Sequence, residues 1–218
     1  VPLFAMAAHE LKNPLALIRQ LAASLYEEKT PDQRQEIVRR IELVSERSLR
    51  LTSNLTRSQR LEPTLFPLEP LNTVAVCNQV VRELTPLYAA RGRQVRVRQR
   101  STAPLAIGNR DLLSRVLLQF ADNALEHAYS DVVELAISSS RSGRVRIGVR
   151  DFGPAVSRPY QLVGGRSVTP LRPASSGLGL MISQQFAKVM NGQIGVTHHR
   201  DGASFYIDLQ QSHQLSLV

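Results

Sequence analysis

A histidine and an adjacent carboxylate, His9 and Glu10, lie close to the start of the 218-residue chain, and Asn13 and Pro14 follow them. An imidazole nitrogen can act as a nucleophile, and Glu10 is placed to hydrogen-bond the ring or to accept its proton. Pro14 lies inside a predicted helix, where a proline costs about 3 kcal/mol and leaves the carbonyl of Glu10 without its helical donor. A solvated surface histidine is the commoner explanation of such a residue, so this motif alone assigns no chemistry.

Two amide side chains lie one turn apart on a strongly apolar helix predicted over residues 111–128. They are Gln119 and Asn123, and the spacing puts both on one face of the helix. Amide oxygens are suitable ligands for a hard cation such as Mg²⁺. An asparagine in a helix is weak support for a metal site when nothing else accompanies it.

Two further motifs combine glycine with positions where a ligand could approach the backbone. Asp151 ends a strand predicted over residues 144–151, where its carboxylate could accept a hydrogen bond from an exocyclic amine, and Gly153 would let a ring come close. Gly177 and Gly179 open a helix predicted over residues 177–190, and the free N–H groups of a helix start can cradle phosphates. Ordinary turn chemistry explains either motif taken alone.

Together and in this order, the four motifs resemble those of the sensor histidine kinases of bacterial two-component systems. The stretch from His9 to Leu15 is similar to the phosphoacceptor box of that family, and Asn123 lies in a match to its asparagine box. The Asp151 and Gly177 motifs are similar to its two glycine boxes. The resemblance extends over essentially the whole chain.

The resemblance implies a separate role for each of these residues. His9 would attack the γ-phosphate of ATP with Glu10 as its acid/base partner, and Asn13 would position a water that dephosphorylates a response regulator. Mg²⁺ would be held by Asn123 with Gln119. The residues implied in nucleotide binding are Asn123, His127, Asp151, Gly153, Gly177, Leu178 and Gly179.

The resemblance also implies partners. The phosphohistidine would pass its phosphoryl group to an aspartate in the receiver domain of a response regulator, which would dock on the helices below His9. The kinase core would act as a homodimer in the cytoplasm. No membrane segment is predicted in this chain, which begins in mid-helix at Val1, so the expectation is a fragment of a longer parent, for which a membrane anchor is left open.

Several positions depart from the family pattern. Gln119 replaces the first asparagine of the asparagine box, Glu126 replaces its usual basic residue, and Ala155 and Ser175 stand where glycines are common. These departures leave open an alternative function, a catalytically weak pseudokinase that acts as a dimeric scaffold for the regulator. A gyrase-type ATPase or serine-kinase relative without histidine chemistry is a further alternative, but it would have no use for the helical motif around His9.

Two long helices are predicted to carry His9, and they form the first domain, residues 1–63. The first helix has apolar residues at alternating spacings of four and three, and the second begins at Pro31 with Thr30 as its N-cap. A hairpin of two helices cannot enclose a core, so a four-helix bundle formed by a homodimer is expected. The predicted seam of the first helix consists of Phe4, Ala8, Leu11, Leu15, Ile18, Ala22 and Leu25.

The second domain, residues 67–218, is predicted to be an α+β two-layer sandwich with a mixed sheet. A proline-rich linker over residues 62–70 precedes it. Helices are expected over 74–89, 111–128 and 177–190, and strands over 94–99, 132–138, 144–151, 193–197 and 204–209. Residues 154–175 carry no periodicity, which is typical of a functional loop, and the resemblance makes them a lid over the nucleotide.

Composition limits the remaining possibilities. The net charge of +9 comes almost wholly from arginine and is compatible with an acidic protein partner, a membrane face or nucleic acid. Aromatic residues make up only 5% of the chain, with no tryptophan, so base stacking is poorly supplied and a nucleic-acid partner is not expected. Cys77 is the single cysteine, which excludes an internal disulfide.

Overall fold

The computed structural model describes residues 3–27, 30–58, 61–98, 103–127, 130–139, 143–152 and 178–212. The chain divides into two compact units, the second of which begins at Leu61. Among the described helices, none has the length and apolar character needed to cross a bilayer.

The first unit contains a helical hairpin of α1 (Leu3–Ser24) and α2 (Pro31–Ser58), which pack against each other. A reciprocal capping box begins α2: the Gln33 N–H donates to Thr30 Oγ1 at 3.3 Å, and the Thr30 N–H donates to Gln33 Oε1 at 3.1 Å. The N-cap predicted at Thr30 is therefore confirmed. Helix α1 continues through Pro14, as the predicted helix requires.

The face that α1 presents to α2 differs from the predicted seam. Ala7 and Leu21 are buried, whereas Ala8 is exposed and Leu15 is 60% exposed. The buried stripe is thus rotated by about one residue from the stripe that the apolar spacing predicted. A single partner helix, α2, covers less of the α1 surface than the neighbouring helices of a four-helix bundle would. Part of the apolar face of α1 therefore remains exposed within a single chain.

The second unit alternates helices and strands. The proline-rich linker contains a 3₁₀ turn, Pro63–Leu65, which the sequence did not predict. The helices that follow are α3 (Thr73–Ala89), α4 (Arg110–His127) and α5 (Leu178–Val189), the last of which belongs to this unit from Leu180 onward. The strands are β1 (Glu69–Leu71), β2 (Gln94–Arg98), β3 (Ala106–Gly108), β4 (Val132–Ser139), β5 (Arg144–Arg150), β6 (Gln193–His199) and β7 (Gly202–Gln210).

Five of these strands form one sheet in the order β2-β4-β5-β7-β6. The β2–β4 pair is parallel and the other pairs are antiparallel, so the predicted mixed sheet is confirmed. Strands β1 and β3 form a separate antiparallel pair of three residues each, which the sequence analysis missed. Three residues are too few for an alternating pattern to be recognised.

The sheet has one apolar face, which packs against α3 and α4. On β5, Val145, Ile147 and Val149 point into this core. The alternate residues, Arg144, Arg146, Gly148 and Arg150, lie on the opposite face. The rings of Phe120 on α4 and Phe205 on β7 are 5.9 Å apart between centroids and join helix to sheet. This arrangement is the predicted two-layer α+β sandwich.

Candidate active site

Helix α4 carries the two predicted metal ligands. Asn109 caps its start by accepting the Leu112 N–H at 3.2 Å, and the apolar side of the helix is fully buried. Gln119 and Asn123 lie at the border of this buried side and are half-buried. The Gln119 Nε2 donates to Asn123 Oδ1 at 3.4 Å, a long hydrogen bond, so the structure brings these amides together as predicted.

A buried tyrosine of α3, Tyr88, is hydrogen-bonded to α4. The Tyr88 hydroxyl donates to the Ala121 carbonyl at 2.7 Å. The pKa of Tyr88 is raised, chiefly because the phenol is buried and then because the carboxylates of Asp122 and Asp151 oppose its ionisation. Both carboxylates therefore lie within electrostatic range of one phenol. Helix α4 also packs against β5, the strand that Asp151 follows.

Asp151 follows β5 directly and is held by one residue of β7. Its N–H donates to the Ala203 carbonyl at 2.9 Å, and its Oδ1 accepts the Ala203 N–H at 2.6 Å. The carboxylate is half-buried. An ionised carboxylate accepts about four hydrogen bonds, so an oriented Asp151 remains chemically suited to receive one from an amine.

The predicted phosphoacceptor motif lies on α1. Asn13 is exposed, Glu10 is half-buried, and Pro14 is half-buried. His9 is a residue of this helix, but its side chain lies outside the described part of the structure. Its nucleophilic role therefore stays a prediction.

The other predicted nucleotide-binding residues are described only in part. Leu178 and Gly179 are the first two residues of α5, and Leu178 is buried. His127 is the last residue of α4, and its side chain lies outside the described residues, as does that of Glu126. Gly153, Gly177 and the predicted lid over residues 154–175 also lie outside them.

Two features around the site were missed by the sequence analysis. The first is Asp122, which is buried on α4 directly before the half-buried Asn123. No local sequence pattern distinguishes it from an aspartate on the surface. The Arg93 Nη1 donates to the Leu125 carbonyl at 2.6 Å and so places a cation at the C-terminal end of α4. Among the described residues, no group of three or more His, Cys, Asp and Glu side chains could hold a metal ion.

Two family models match the chain in the order that the motifs predicted. Residues 3–64 match the His Kinase A (phospho-acceptor) domain. Residues 108–213 match the histidine kinase-, DNA gyrase B- and HSP90-like ATPase family. Together they cover most of the chain, and the chain belongs to the family of two-component sensor histidine kinases, of which it comprises the kinase core.

Curated relatives are similar over nearly the whole chain. The sensor protein SphS of Synechococcus elongatus is 31% identical over 97% of this chain and 54% of its own length. The swarming motility regulation sensor protein RssA of Serratia marcescens is 27% identical over 95% of this chain and 46% of its own length. The chain thus spans about half the length of these two relatives.

Solved structures share the fold. Histidine kinase ThkA, solved in complex with the response regulator protein TrrA, matches with a TM-score of 0.65 and 17% identity over 96% of this chain and 61% of that chain. Full-length ShkA, solved in complex with AMPPNP, matches with a TM-score of 0.61 and 21% identity over 99% of this chain and 47% of that chain. At these identities the similarity establishes the architecture.

Proposed function

We propose that this chain is the core of an ATP-dependent protein-histidine kinase that phosphorylates His9 and passes the phosphoryl group to an aspartate of a response regulator. The observation that carries the proposal is the pairing of a phosphoacceptor-domain match containing His9 with an ATPase-family match containing Asn123 and Asp151. The division proposed is a phosphotransfer domain over residues 1–63 and a catalytic ATP-binding domain over residues 67–218.

The chemistry at the first domain is nucleophilic. An imidazole nitrogen of His9 forms a bond to the γ-phosphorus of ATP, the bond from that phosphorus to the β,γ-bridging oxygen breaks, and ADP leaves. Glu10 is the adjacent carboxylate that takes the proton released from the ring. The phosphoryl group then moves from the nitrogen to an aspartate oxygen of the regulator.

The nucleotide side of the reaction is assigned to the second domain. Asp151 would accept a hydrogen bond from the adenine amine beside Gly153, and Asn123 with Gln119 would ligate Mg²⁺. That cation would neutralise charge on the phosphates. The fit is chemical: amide oxygens and a nucleotide's phosphates are the hard ligands that Mg²⁺ prefers. The residues proposed to contact the phosphates are His127, Gly177, Leu178 and Gly179, of which Leu178 and Gly179 begin α5.

A homodimer formed through the helical hairpin is part of the proposal. Leu15 is 60% exposed and Leu49 is 70% exposed within one chain. Large apolar side chains exposed on a two-helix hairpin are covered when a second hairpin completes a four-helix bundle. The receiver domain of the regulator would dock on this bundle, and the ATP requirement assigns the core to the cytoplasm.

Asn13 gives the core a second proposed activity, the dephosphorylation of the regulator. Its amide is exposed one helical turn from His9, where it could orient a water toward the regulator's phosphoaspartate. An Asn13→Ala variant should keep autophosphorylation and lose most of the regulator dephosphorylation. Equal dephosphorylation by wild type and variant would contradict this role.

The experiment that tests the kinase is labelling with radioactive ATP and Mg²⁺. Label should enter the protein from γ-labelled ATP and not from α-labelled ATP, and it should be acid-labile and base-stable, as expected for a phosphoramidate. A pseudokinase, which the family matches do not favour, would bind nucleotide and take up no label. A base-labile or acid-stable label would contradict histidine chemistry.

A further inference from the structure

Residues 200–203 pack directly on the segment that contains Asp151. They comprise the turn after β6 and the first two residues of β7, and are called the β6–β7 turn below. Ala203 exchanges two hydrogen bonds with Asp151, one through its carbonyl at 2.9 Å and one from its N–H to the carboxylate at 2.6 Å. The second bond is made by backbone, so it fixes the direction of the carboxylate without depending on a flexible side chain. The turn therefore contacts the carboxylate that is proposed to accept the hydrogen bond from the adenine amine.

Gly202 makes this close approach possible. Its φ is +136°, a conformation that L side chains rarely adopt. A Cβ added there would meet the Phe152 Cα at 2.9 Å and would meet the Asp151 carbonyl oxygen as well. Both the dihedral angle and the space require glycine at this position.

Arg150 holds the other side of the segment. Its Nη2 donates to Asp201 Oδ1 at 2.6 Å, and its guanidinium lies over the Phe152 ring, 4.9 Å from the centroid. The Phe152 carbonyl accepts the Ser130 N–H at 3.0 Å. Each of Arg150, Asp151 and Phe152 is thus held by at least one hydrogen bond. Three of these bonds, one to Arg150 and two to Asp151, come from the turn.

We propose that the β6–β7 turn is a positioning element that presets the Asp151 carboxylate and thereby gives the site its preference for adenine. The inference rests on the proposed function, in which Asp151 accepts the adenine amine. An ionised carboxylate only accepts hydrogen bonds, so a fixed one favours the amine at C6 of adenine and disfavours the carbonyl oxygen at the same position of guanine. A carboxylate free to turn away would lose that discrimination.

The test compares two nucleotides in the presence of Mg²⁺: ATP and purine riboside triphosphate, in which hydrogen replaces the amine. A hydrogen bond to a charged acceptor should make the wild-type affinity for ATP about tenfold higher or more. In Gly202→Ala, this affinity ratio should fall toward one. Gly143→Ala is the matched control, because Gly143 also has a positive φ, +71°, yet a Cβ there has no atom within 4 Å.

A purely structural role for the turn predicts a different result. Both nucleotides would then bind more weakly by the same factor in Gly202→Ala, and the unchanged ratio would overturn the inference. Should Gly202→Ala fail to fold, exchange of the Ala203 amide for an ester removes the N–H donated to Asp151 and leaves every side chain in place. That change should also lower the ratio, and a wild-type ratio in the folded ester protein would overturn the proposal.

The Asp151→Asn variant separates this inference from the proposed function. A ratio that collapses in Asp151→Asn and survives in Gly202→Ala would reject the turn while keeping the adenine site. A wild-type ratio of one would reject Asp151 as the reader of the amine and the role of the turn with it. A ratio lowered by both substitutions and unchanged by Gly143→Ala is the expected outcome.

Discussion

Replacing Asn123 by alanine should leave the stability of the second domain almost unchanged. Alanine is the better helix former by about 0.5 kcal/mol in a half-exposed helical position. The substitution removes the 3.4 Å hydrogen bond from Gln119, and such a pair one turn apart contributes about 0.2–0.5 kcal/mol. These terms nearly cancel, so the melting temperature should move by no more than about 2 °C.

The same variant should lose most of its Mg²⁺-dependent nucleotide binding. Residues that only support a metal's ligands already cost about ten- to a hundredfold in metal affinity or activity when mutated, and a direct ligand should cost at least tenfold. ATP is titrated into the protein once in the presence of Mg²⁺ and once with excess chelator. The difference between these two ATP affinities should be lost in the variant. Labelling of His9 should fall in parallel.

Gln119→Ala breaks the same hydrogen bond from the other end and removes the second proposed Mg²⁺ ligand. If the two amides acted only by bonding each other, both variants would keep the wild-type Mg²⁺ dependence. We expect Gln119→Ala to lose Mg²⁺-dependent binding as well, because it too removes a direct ligand. An Asn123→Ala protein with wild-type Mg²⁺ dependence, or one destabilised by more than about 1 kcal/mol, would refute the reasoning.

Three further predictions concern the framework of the two domains. Tyr88→Phe should lower the unfolding free energy by about 1 kcal/mol in urea, because the buried bond to the Ala121 carbonyl is lost; an unchanged midpoint would contradict that bond. Burial raises the pKa of the Cys77 thiol from 9.0 to about 12, so the unfolded chain releases a proton that the folded chain retains between these values. Stability should therefore fall as pH rises above 9, by up to about 1.4 kcal/mol per pH unit from this group, and denaturation of Cys77→Ala across that range should lack this slope. Pro14→Ala restores a helical donor to the Glu10 carbonyl and should stabilise α1 by up to about 3 kcal/mol while lowering His9 labelling; higher stability with undiminished labelling would show that the proline is not needed for the reaction.

The elements of the second domain were predictable where they are long and regular. The alternation of Val145, Ile147 and Val149 with three arginines and Gly148 marks β5, and the apolar run of α4 marks a buried helix. The three-residue strands β1 and β3 escaped prediction because their pairing depends on tertiary contact. On α1, the apolar spacing predicted a helix correctly but placed its buried face one residue away from that observed against α2.

The candidate site shows the same limit at the level of single residues. Asn123 and Gln119 could be paired from their spacing because both lie on one helix. The orientation of Asp151 could not be predicted from the sequence. Its partners Gly202 and Ala203 are about fifty residues further along the chain, where they look like ordinary turn residues. Because the donor is a backbone N–H, the residue types do not indicate this hydrogen bond, and it is seen only in the folded structure.

Identification of the modified residue tests directly whether His9 receives the phosphoryl group. The protein is incubated with ATP and Mg²⁺, digested at mildly alkaline pH to preserve phosphohistidine, and analysed by tandem mass spectrometry. One phosphoryl group is expected on the imidazole of His9 and none on the corresponding peptide of His9→Ala. A phosphoryl group on another residue, or one that persists in His9→Ala, would contradict this expectation.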